Sequence, residues 1–304
     1  MICGTRGSLL AEAQTRVVIG ALKRLRPGIQ VTVRKVRTAG DVFRRRPISE
    51  LGGIGAFVRE IDDLLLDDKL DFAVHSLKDV PTKLRGGIEV AAILPRGDPR
   101  DFLVCRVPLS KLPSGARVGT SSLRRRAQLL RRRGDLIAVP LRGNVPTRVN
   151  KVSTGDLDGA MVAKAGLDRL CMAPRGFLLP IKDFVPAPAQ GAIAVVARTG
   201  SDAASLVKCL DHRPTRLATE TERIVMRLLG GGCTAPVGIY AKCISDKVTV
   251  KAMILSIDGK KTLLHDASFP RRAMADGTRK FAAELRRLGG GDLVKEAARA
   301  ALDW

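Results

Sequence analysis

At 304 residues, 45% of them hydrophobic and with a mean hydropathy of +0.04, the chain is long enough for two or three globular domains, each with its own core. Lysine and arginine outnumber aspartate and glutamate 53 to 30, and the net charge of +23 calls for an anionic partner, a strongly basic surface, or both. Aromatic residues make up only 3%, no finger or metal-ligand spacing of Cys and His occurs, and no stretch approaches a membrane span, which argues against a specific nucleic-acid binder, a metal site and a membrane protein.

Ile2 and Cys3 begin a first strand that Gly4 and Gly7 break. Ser8 then caps a helix whose Leu10, Ala13, Val17 and Ala21 form one apolar stripe. Arg6 falls at this strand-to-helix junction, where a guanidinium beside the positive end of a helix dipole suits a carboxylate or a phosphate; an ordinary surface charge is the alternative. Val31 to Val36 alternates as a second strand. FRRRPISELGGIGAF, residues 43–57, resists regular structure and reads as a lid-like loop before a helix through Phe57, Ile61, Leu64 and Leu65.

DFAVHSLKDVPT, Asp71 to Thr82, follows. Phe72 to Val74 is a short buried strand, and His75, Ser76, Lys78 and Asp79 crowd its end. Ligands of open α/β sheets bind beyond the carboxyl ends of strands, so an acid and a base side by side there are placed for chemistry. As bare neighbours they would be solvated surface charges. Strand, helix, strand, helix, strand is the pattern of a parallel sheet with crossover helices.

Ile88 to Leu94 is another strand, and RGDPRD is a crossover to a second unit that starts with Phe102 to Cys105. In GTSSLRRRAQLLRRRG, Ser122 is the N-cap, Leu123, Ala127 and Leu130 face the core, and Gly134 stops the helix. Arg124 and Arg125 then occupy the first turn, where cations oppose the dipole, and the conflict predicts an anion bound there. A strand at Leu136 to Val139 runs into LRGNVPTR, with Arg142 and Arg148 flanking a Gly-Asn turn. Gly159 to Ala163 is a strand, and AKAGLDRL opens a helix with Arg169 near its middle. Arg6, Arg124, Arg125, Arg142, Arg148 and Arg169 together suggest a cleft for several carboxylates, which the planar guanidinium holds bidentately.

PAPAQGAIAVV leads back toward the first domain, with Ile193 to Val196 as a strand. A helix from about Arg216 to Leu229, with Leu217, Ile224, Val225 and Leu228 inward, halts at GGGC and leaves Cys233 on a glycine loop; isolated cysteines are most often small buried hydrophobes. Val248 to Ile257, the Asp258-Gly259 turn and Lys261 to His265 form a hairpin. Two helices bearing Phe281, Leu285, Leu288, Leu293 and Val294 cover it, completing an α+β domain. The six cysteines are scattered without a CxxC and the N-terminus has no leader pattern, so free thiols and a cytoplasmic location are expected.

HSLKDVPT, VGTSSLRRRAQL, LRGNVPTR, PAPAQGA and GGGCTAPVG, with the opening TRGSLLAEAQ, occur in an order and spacing that resembles the porphobilinogen deaminase (hydroxymethylbilane synthase) family along nearly the whole chain. The resemblance implies an α/β fold of three domains. Two are type II periplasmic-binding-protein-like α/β domains with a cleft between them, at 1–95 with 189–211 and at 99–185; the third, 213–304, is α+β and carries the cofactor cysteine. It implies a transferase that condenses four porphobilinogen molecules head to tail on a covalently bound dipyrromethane primer, releases ammonia at each step, and frees hydroxymethylbilane by hydrolysis in tetrapyrrole biosynthesis. Every added ring brings two carboxylates, which accounts for an arginine-lined site.

By the same resemblance Cys233 carries the dipyrromethane through a thioether, and Asp79 is the catalytic carboxylate that binds pyrrole N–H groups and stabilises cationic intermediates. Lys78, Ser122, Arg124, Arg125 and Arg148 match positions that hold the cofactor. Arg6, Ser8, Arg142 and Arg169 match positions that grip the substrate and the growing chain. A monomer is implied, with porphobilinogen as small-molecule partner, no metal, no specific nucleic acid, and a product passed to uroporphyrinogen-III synthase. Ile54 and Arg59 depart from lysines frequent in the family, and Ala189 replaces a common glycine.

Overall fold

The computed structural model describes residues 1–38, 58–230 and 235–300. The chain divides into two compact units, Met1–Gly97 with Gly191–Arg216, and Asp98–Gln190 with Leu217–Trp304. The expected lid stretch at 43–57, including Ile54, lies outside the described residues.

In the first unit β1 (Ile2–Arg6) runs straight through Gly4 instead of breaking there. A Cβ at Gly4 would come within 2.5 Å of Leu70 Cδ1, so this glycine permits close approach within the sheet layer. Helix α1 (Leu9–Leu25) is capped by Ser8, whose Oγ accepts from the Ala11 N–H at 3.2 Å. Its buried residues are Ala11, Ala13, Gln14, Thr15, Val18 and Leu22, so Ala13 faces inward as expected while Val17 is exposed. The expected stripe is thus rotated, because two polar residues are buried with partners: Thr15 Oγ1 donates to Ala11 O at 2.9 Å and the Gln14 amide to Ser76 Oγ at 2.7 Å. The edge strand β2 (Thr32–Val36) and helix α2 (Arg59–Leu66), which buries Ile61 and Leu65, lead to β3 (Phe72–Ser76) and one 3₁₀ turn, Leu77–Asp79. Strand β4 (Ile88–Ile93) follows.

The second unit opens with β5 (Asp101–Cys105) and β6 (Arg117–Gly119), then helix α3 (Leu123–Arg132), β7 (Ile137–Val139), helix α4 (Val145–Ser153), β8 (Gly159–Ala163), helix α5 (Lys164–Arg169) and β9 (Gly176–Leu178). Leu129, not Leu130, is fully buried in α3, since this helix also turns Arg124, Arg125 and Gln128 inward. LRGNVPTR is the start of α4 and not only a turn: Asn144 Oδ1 accepts from the Thr147 N–H at 2.9 Å and Pro146 occupies the first turn. Arg169 closes α5, which ends earlier than its sequence pattern suggests.

The chain returns to the first unit through β10 (Ile193–Arg198) and α6 (Asp202–Val207) before α7 (Arg213–Leu228). The first sheet is ordered β2-β1-β3-β10-β4, with β1 parallel to β2 and β3 and β10 antiparallel to β3 and β4. The second is ordered β7-β6-β8-β5-β9, with β6 parallel to β7 and β8 and β5 antiparallel to β8 and β9. Both orders place second, first, third, crossover and fourth strands side by side, the arrangement of type II periplasmic-binding-protein domains. Val18, Leu22, Phe72, Val74, Val195 and Val207 form the first unit's core, each fully buried large side chain contributing about 1.5–3 kcal/mol.

A third sheet, β11 (Val237–Ile244), β12 (Lys247–Leu255) and β13 (Thr262–Pro270), is an antiparallel meander, packed with α8 (Met274–Arg287) and α9 (Gly290–Ala300) around Val225, Ile239, Ile254, Phe281, Leu285 and Val294. Leu288 stays exposed, at the turn between the two helices. The inward face of α7 is Ala218, Glu222 and Val225, with Leu228 partly buried against the same core; Val225 and Leu228 thus face inward as expected, Leu217 and Ile224 are only partly buried, and Glu222 takes a buried position that hydropathy does not signal. Among the described residues no helix is long and apolar enough to cross a membrane.

Candidate active site

Strands β1 and β3 are adjacent and parallel, so their carboxyl ends open at one edge of the first sheet. Arg6 ends β1 and Ser8 caps α1; Ser76 ends β3, and the following turn carries Lys78 and Asp79. Arg6, Ser8, Gln14, His75, Ser76 and Asp79 line one pocket of about 60 Å³. That is room enough for a carboxylate. Arg6, Ser8 and Asp79, assigned separately in the sequence, are therefore brought together. Lys78 is half-buried in the same turn as Asp79. His75 is 5% exposed, and burial, followed by the charge of Arg6, pulls it down to about 4, so it is neutral at pH 7.

In the second unit β7, β6 and β8 are adjacent and parallel, and their carboxyl ends present Arg142, Ser122 and the helix ending in Arg169. Ser122 Oγ caps α3 by accepting from the Arg125 N–H at 3.5 Å. Arg124 and Arg125 are only 4% and 6% exposed and close on Asp101, which is wholly buried. Arg124 Nη1 donates to Asp101 Oδ2 at 2.7 Å, and Arg125 Nε and Nη2 donate to Oδ1 at 2.9 and 2.7 Å. The anion that the first turn of α3 calls for is thus supplied by the chain itself. Burial opposes the Asp101 charge, but the two guanidiniums outweigh it and hold the carboxyl well below its usual range. Gln190 Nε2 donates to Asp101 Oδ1 at 2.9 Å and to Pro99 O at 2.7 Å, joining the 98–101 crossover to the end of PAPAQ.

Arg148 Nε donates to Gly143 O at 2.9 Å, and among the described residues no carboxylate pairs with it. Burial and then the like charge of Arg125 pull it down to about 10; burial does the same to Arg169, against the attraction of Asp168. Both stay charged at neutral pH, and partly desolvated cations at a sheet edge are suited to a carboxylate ligand. This donor chemistry fits a group bearing acetate and propionate arms. Arg142 is exposed beside Gly143. Cys233 lies outside the described residues, so its surroundings are not part of this geometry.

Two residues that the sequence did not single out hold this region. Asp101 is one; an acid inside RGDPRD at the head of a buried strand was its only signal. The other is Glu222, fully buried, which accepts from the Ala189 N–H at 2.6 Å and from the Ala241 N–H at 2.7 Å. Ala189 itself is held at φ +60°, a left-handed conformation that favours glycine.

In each unit the strand ends carry charged side chains suited to an anionic ligand, Arg6 with Asp79 in the first and Arg148 and Arg169 in the second. Family models extend this to nearly the full chain: "Porphobilinogen deaminase, dipyromethane cofactor binding domain" matches residues 1–205 and "Porphobilinogen deaminase, C-terminal domain" matches residues 217–291. The chain belongs to the porphobilinogen deaminase family. Among its relatives, the probable porphobilinogen deaminase of Methanosarcina mazei is 44% identical over 302 residues, covering 98% of this chain and 95% of that protein. The porphobilinogen deaminase of Syntrophobacter fumaroxidans is 40% identical over 305 residues, covering 99% and 96%. The probable enzyme of Methanopyrus kandleri is 47% identical over 242 residues, covering 78% and 81%.

Proposed function

We propose that this chain condenses four porphobilinogen molecules head to tail on a dipyrromethane primer, with loss of ammonia at each addition, and releases hydroxymethylbilane by hydrolysis. It is accordingly a transferase of tetrapyrrole synthesis. The observation that carries the proposal is the pocket at the joined ends of β1 and β3, where Asp79 stands with Arg6 and Ser8.

Arg6 is the fixed cation for a substrate carboxylate, and Ser8 Oγ–H adds a donor beside it. Asp79 accepts the pyrrole N–H of porphobilinogen, stabilises the positive charge that grows as ammonia leaves, and takes the proton shed when the new carbon–carbon bond restores the ring. Arg142 and Arg169 hold the carboxylates of the lengthening chain. Cys233, through a thioether, and Lys78, Ser122, Arg124, Arg125 and Arg148 hold the cofactor. When bound, dipyrromethane supplies the pyrrole carbon to which the first substrate unit is joined. Arg148 is the direct carboxylate fork of this set; Arg124 and Arg125, engaged by Asp101, contribute net positive field. A cytoplasmic monomer that passes its product to uroporphyrinogen-III synthase completes the reading, on the strength of the family resemblance.

The test is incubation of the cofactor-loaded enzyme with porphobilinogen, following substrate loss and ammonia release. The parent consumes substrate and Asp79→Ala, folded normally, does not; equal turnover by both would overturn the role of Asp79.

A further inference from the structure

Residues 1–38 contain eight lysines and arginines and a single acid, Glu12. Four of these cations, Arg16, Lys23, Arg24 and Arg26, belong to the second half of α1 and its C-cap, and all four are exposed. Among the described residues none of the four is in an ion pair. Elsewhere on the surface cations sit against acids: Lys69 on Asp67 at 3.0 Å, Lys261 on Glu296 at 2.8 Å, Lys280 on Asp276 at 2.9 Å and Arg287 on Glu284 at 2.7 Å. A run of like charges without counter-charges raises the energy of the protein alone and is relieved by an anionic partner.

Glu12, Arg16, Gly20 and Arg24 are spaced by four and share one row of α1. Glu12 is engaged by Lys35 of the edge strand β2 at 2.7 Å, so it does not neutralise the arginines that follow it. Arg24 Nη1 lies 3.7 Å from where a Cβ of Gly20 would stand, and apart from that guanidinium the space above Gly20 is open. The Arg24 side chain is thus folded back along the row toward Arg16, away from the last carbonyls of the helix. Cations in a last turn ordinarily serve those carbonyls and the dipole, an account that covers neither the direction of Arg24 nor the mid-helix position of Arg16. From Arg16 to the cap the charges extend over about 15 Å.

The rest of this surface narrows the partner. Residues 1–38 contain no aromatic side chain, so there is no platform on which a base could stack. Val18 and Leu22 of α1 are in the core of the first unit, which leaves only single exposed side chains, Val17 and Leu25, to enter a bilayer. What remains is a row of permanently charged forks suited to phosphates, and a duplex presents one charge per about 1.7 Å of its axis. We infer that the outer face of α1, with Arg16, Lys23, Arg24 and Arg26, is a docking surface for the phosphate backbone of a nucleic-acid duplex, held without regard to base sequence. None of the four lines the pocket at the ends of β1 and β3, so this surface is separate from the proposed chemistry.

The test is fluorescence anisotropy of labelled DNA duplexes of two unrelated sequences, titrated with the full chain across a salt series. Each phosphate contact adds about −0.9 to the slope of log affinity against log salt, so the parent should give a slope of about −3 or steeper, alike for both sequences. The protein carrying Arg16→Gln, Lys23→Gln, Arg24→Gln and Arg26→Gln should lose about three units of that slope, with a thermal midpoint near the parent's. A control carrying Lys69→Gln, Lys261→Gln, Lys280→Gln and Arg287→Gln has the same net charge and should keep the parent's slope. Equal losses in the two variants would assign binding to total charge and overturn the inference, as would a several-fold preference for one sequence. Phosphatidylserine vesicles that displace the duplex from the parent at equal phosphate concentration would overturn it in favour of a membrane. If the α1 variant does not fold, a slope shallower than about −2 on the unaltered chain overturns the inference by itself.

Discussion

Asp101 Oδ1 accepts from both Nε and Nη2 of Arg125, at 2.9 and 2.7 Å, around a carboxylate that no solvent reaches. Arg124 takes the other oxygen. One anion thus neutralises one of two neighbouring cations in the first turn of α3, and the group keeps a net positive charge at the end of β6. Without Asp101 both guanidiniums would be buried and mutually repelling.

Asp101→Asn should therefore destabilise the enzyme by about 3–5 kcal/mol, the usual cost of stripping one partner from a buried pair. Urea unfolding at neutral pH measures it. The acid limb carries the same information. Because the folded carboxyl titrates below its unfolded value of about 4, its contribution is complete above that pH and is lost as pH falls through it. Asp101→Asn should show a correspondingly weaker loss of stability in acid.

Arg125 and Arg148 test the proposed division between structural and ligand-binding arginines. Arg125→Leu leaves Asp101 with Arg124 as its one cation, beside the Gln190 amide, so it should lower stability by a few kcal/mol as well as cofactor loading. Arg148→Leu loses a bond to Gly143 O and no carboxylate, so its unfolding midpoint should stay near the parent's while the fraction of cofactor-loaded protein falls. Thermal unfolding and intact mass on both variants check the contrast. Equal cofactor content in Arg148→Leu and parent would remove Arg148 from the cofactor site.

Ala189 offers a stabilising change. At φ +60° it bears a strain of about 1 kcal/mol that glycine does not, partly offset by the greater freedom glycine gives the unfolded chain. Ala189→Gly should raise stability by up to about 1 kcal/mol and preserve the N–H bond to Glu222, whereas Ala189→Val should lower it. Denaturant titrations decide, and a destabilised glycine variant would contradict the strain.

His75 predicts a pH signature separate from catalysis. Its folded value of about 4 lies below the unfolded value of about 6.5, so the unfolded state binds more protons between them. The stability is fully present above about 6.5 and is lost as pH falls toward 4, by roughly 3 kcal/mol. His75→Phe should flatten stability over that window relative to the parent. Asp62, raised to about 6 by burial, acts in the opposite sense in both proteins and cancels in the comparison.

What the sequence made legible was local. Ser8 and Ser122 declared their caps, the apolar run at Ile193 declared a strand, and the arginines opposing the dipole of α3 declared an anion. The identity of that anion was not legible, because Asp101 is 23 residues away and sits at the head of a strand that reads as apolar. Hydropathy also misplaced the inner faces of α1 and α7, since Gln14, Thr15 and Glu222 are buried by virtue of hydrogen bonds that no periodicity registers. Strand β9, three residues long, falls below any pattern. The pocket shared by Arg6 and Asp79 depends on β1 lying beside β3, a pairing of residues about seventy positions apart.

The covalent cofactor on Cys233 is the central claim, and the intact mass of parent and Cys233→Ser after incubation with porphobilinogen tests it most directly. The parent should carry an adduct of two linked pyrrole units, and longer adducts as substrate is added, while Cys233→Ser stays unmodified. An adduct retained in Cys233→Ser, or a parent that stays unmodified with porphobilinogen present, would contradict the account.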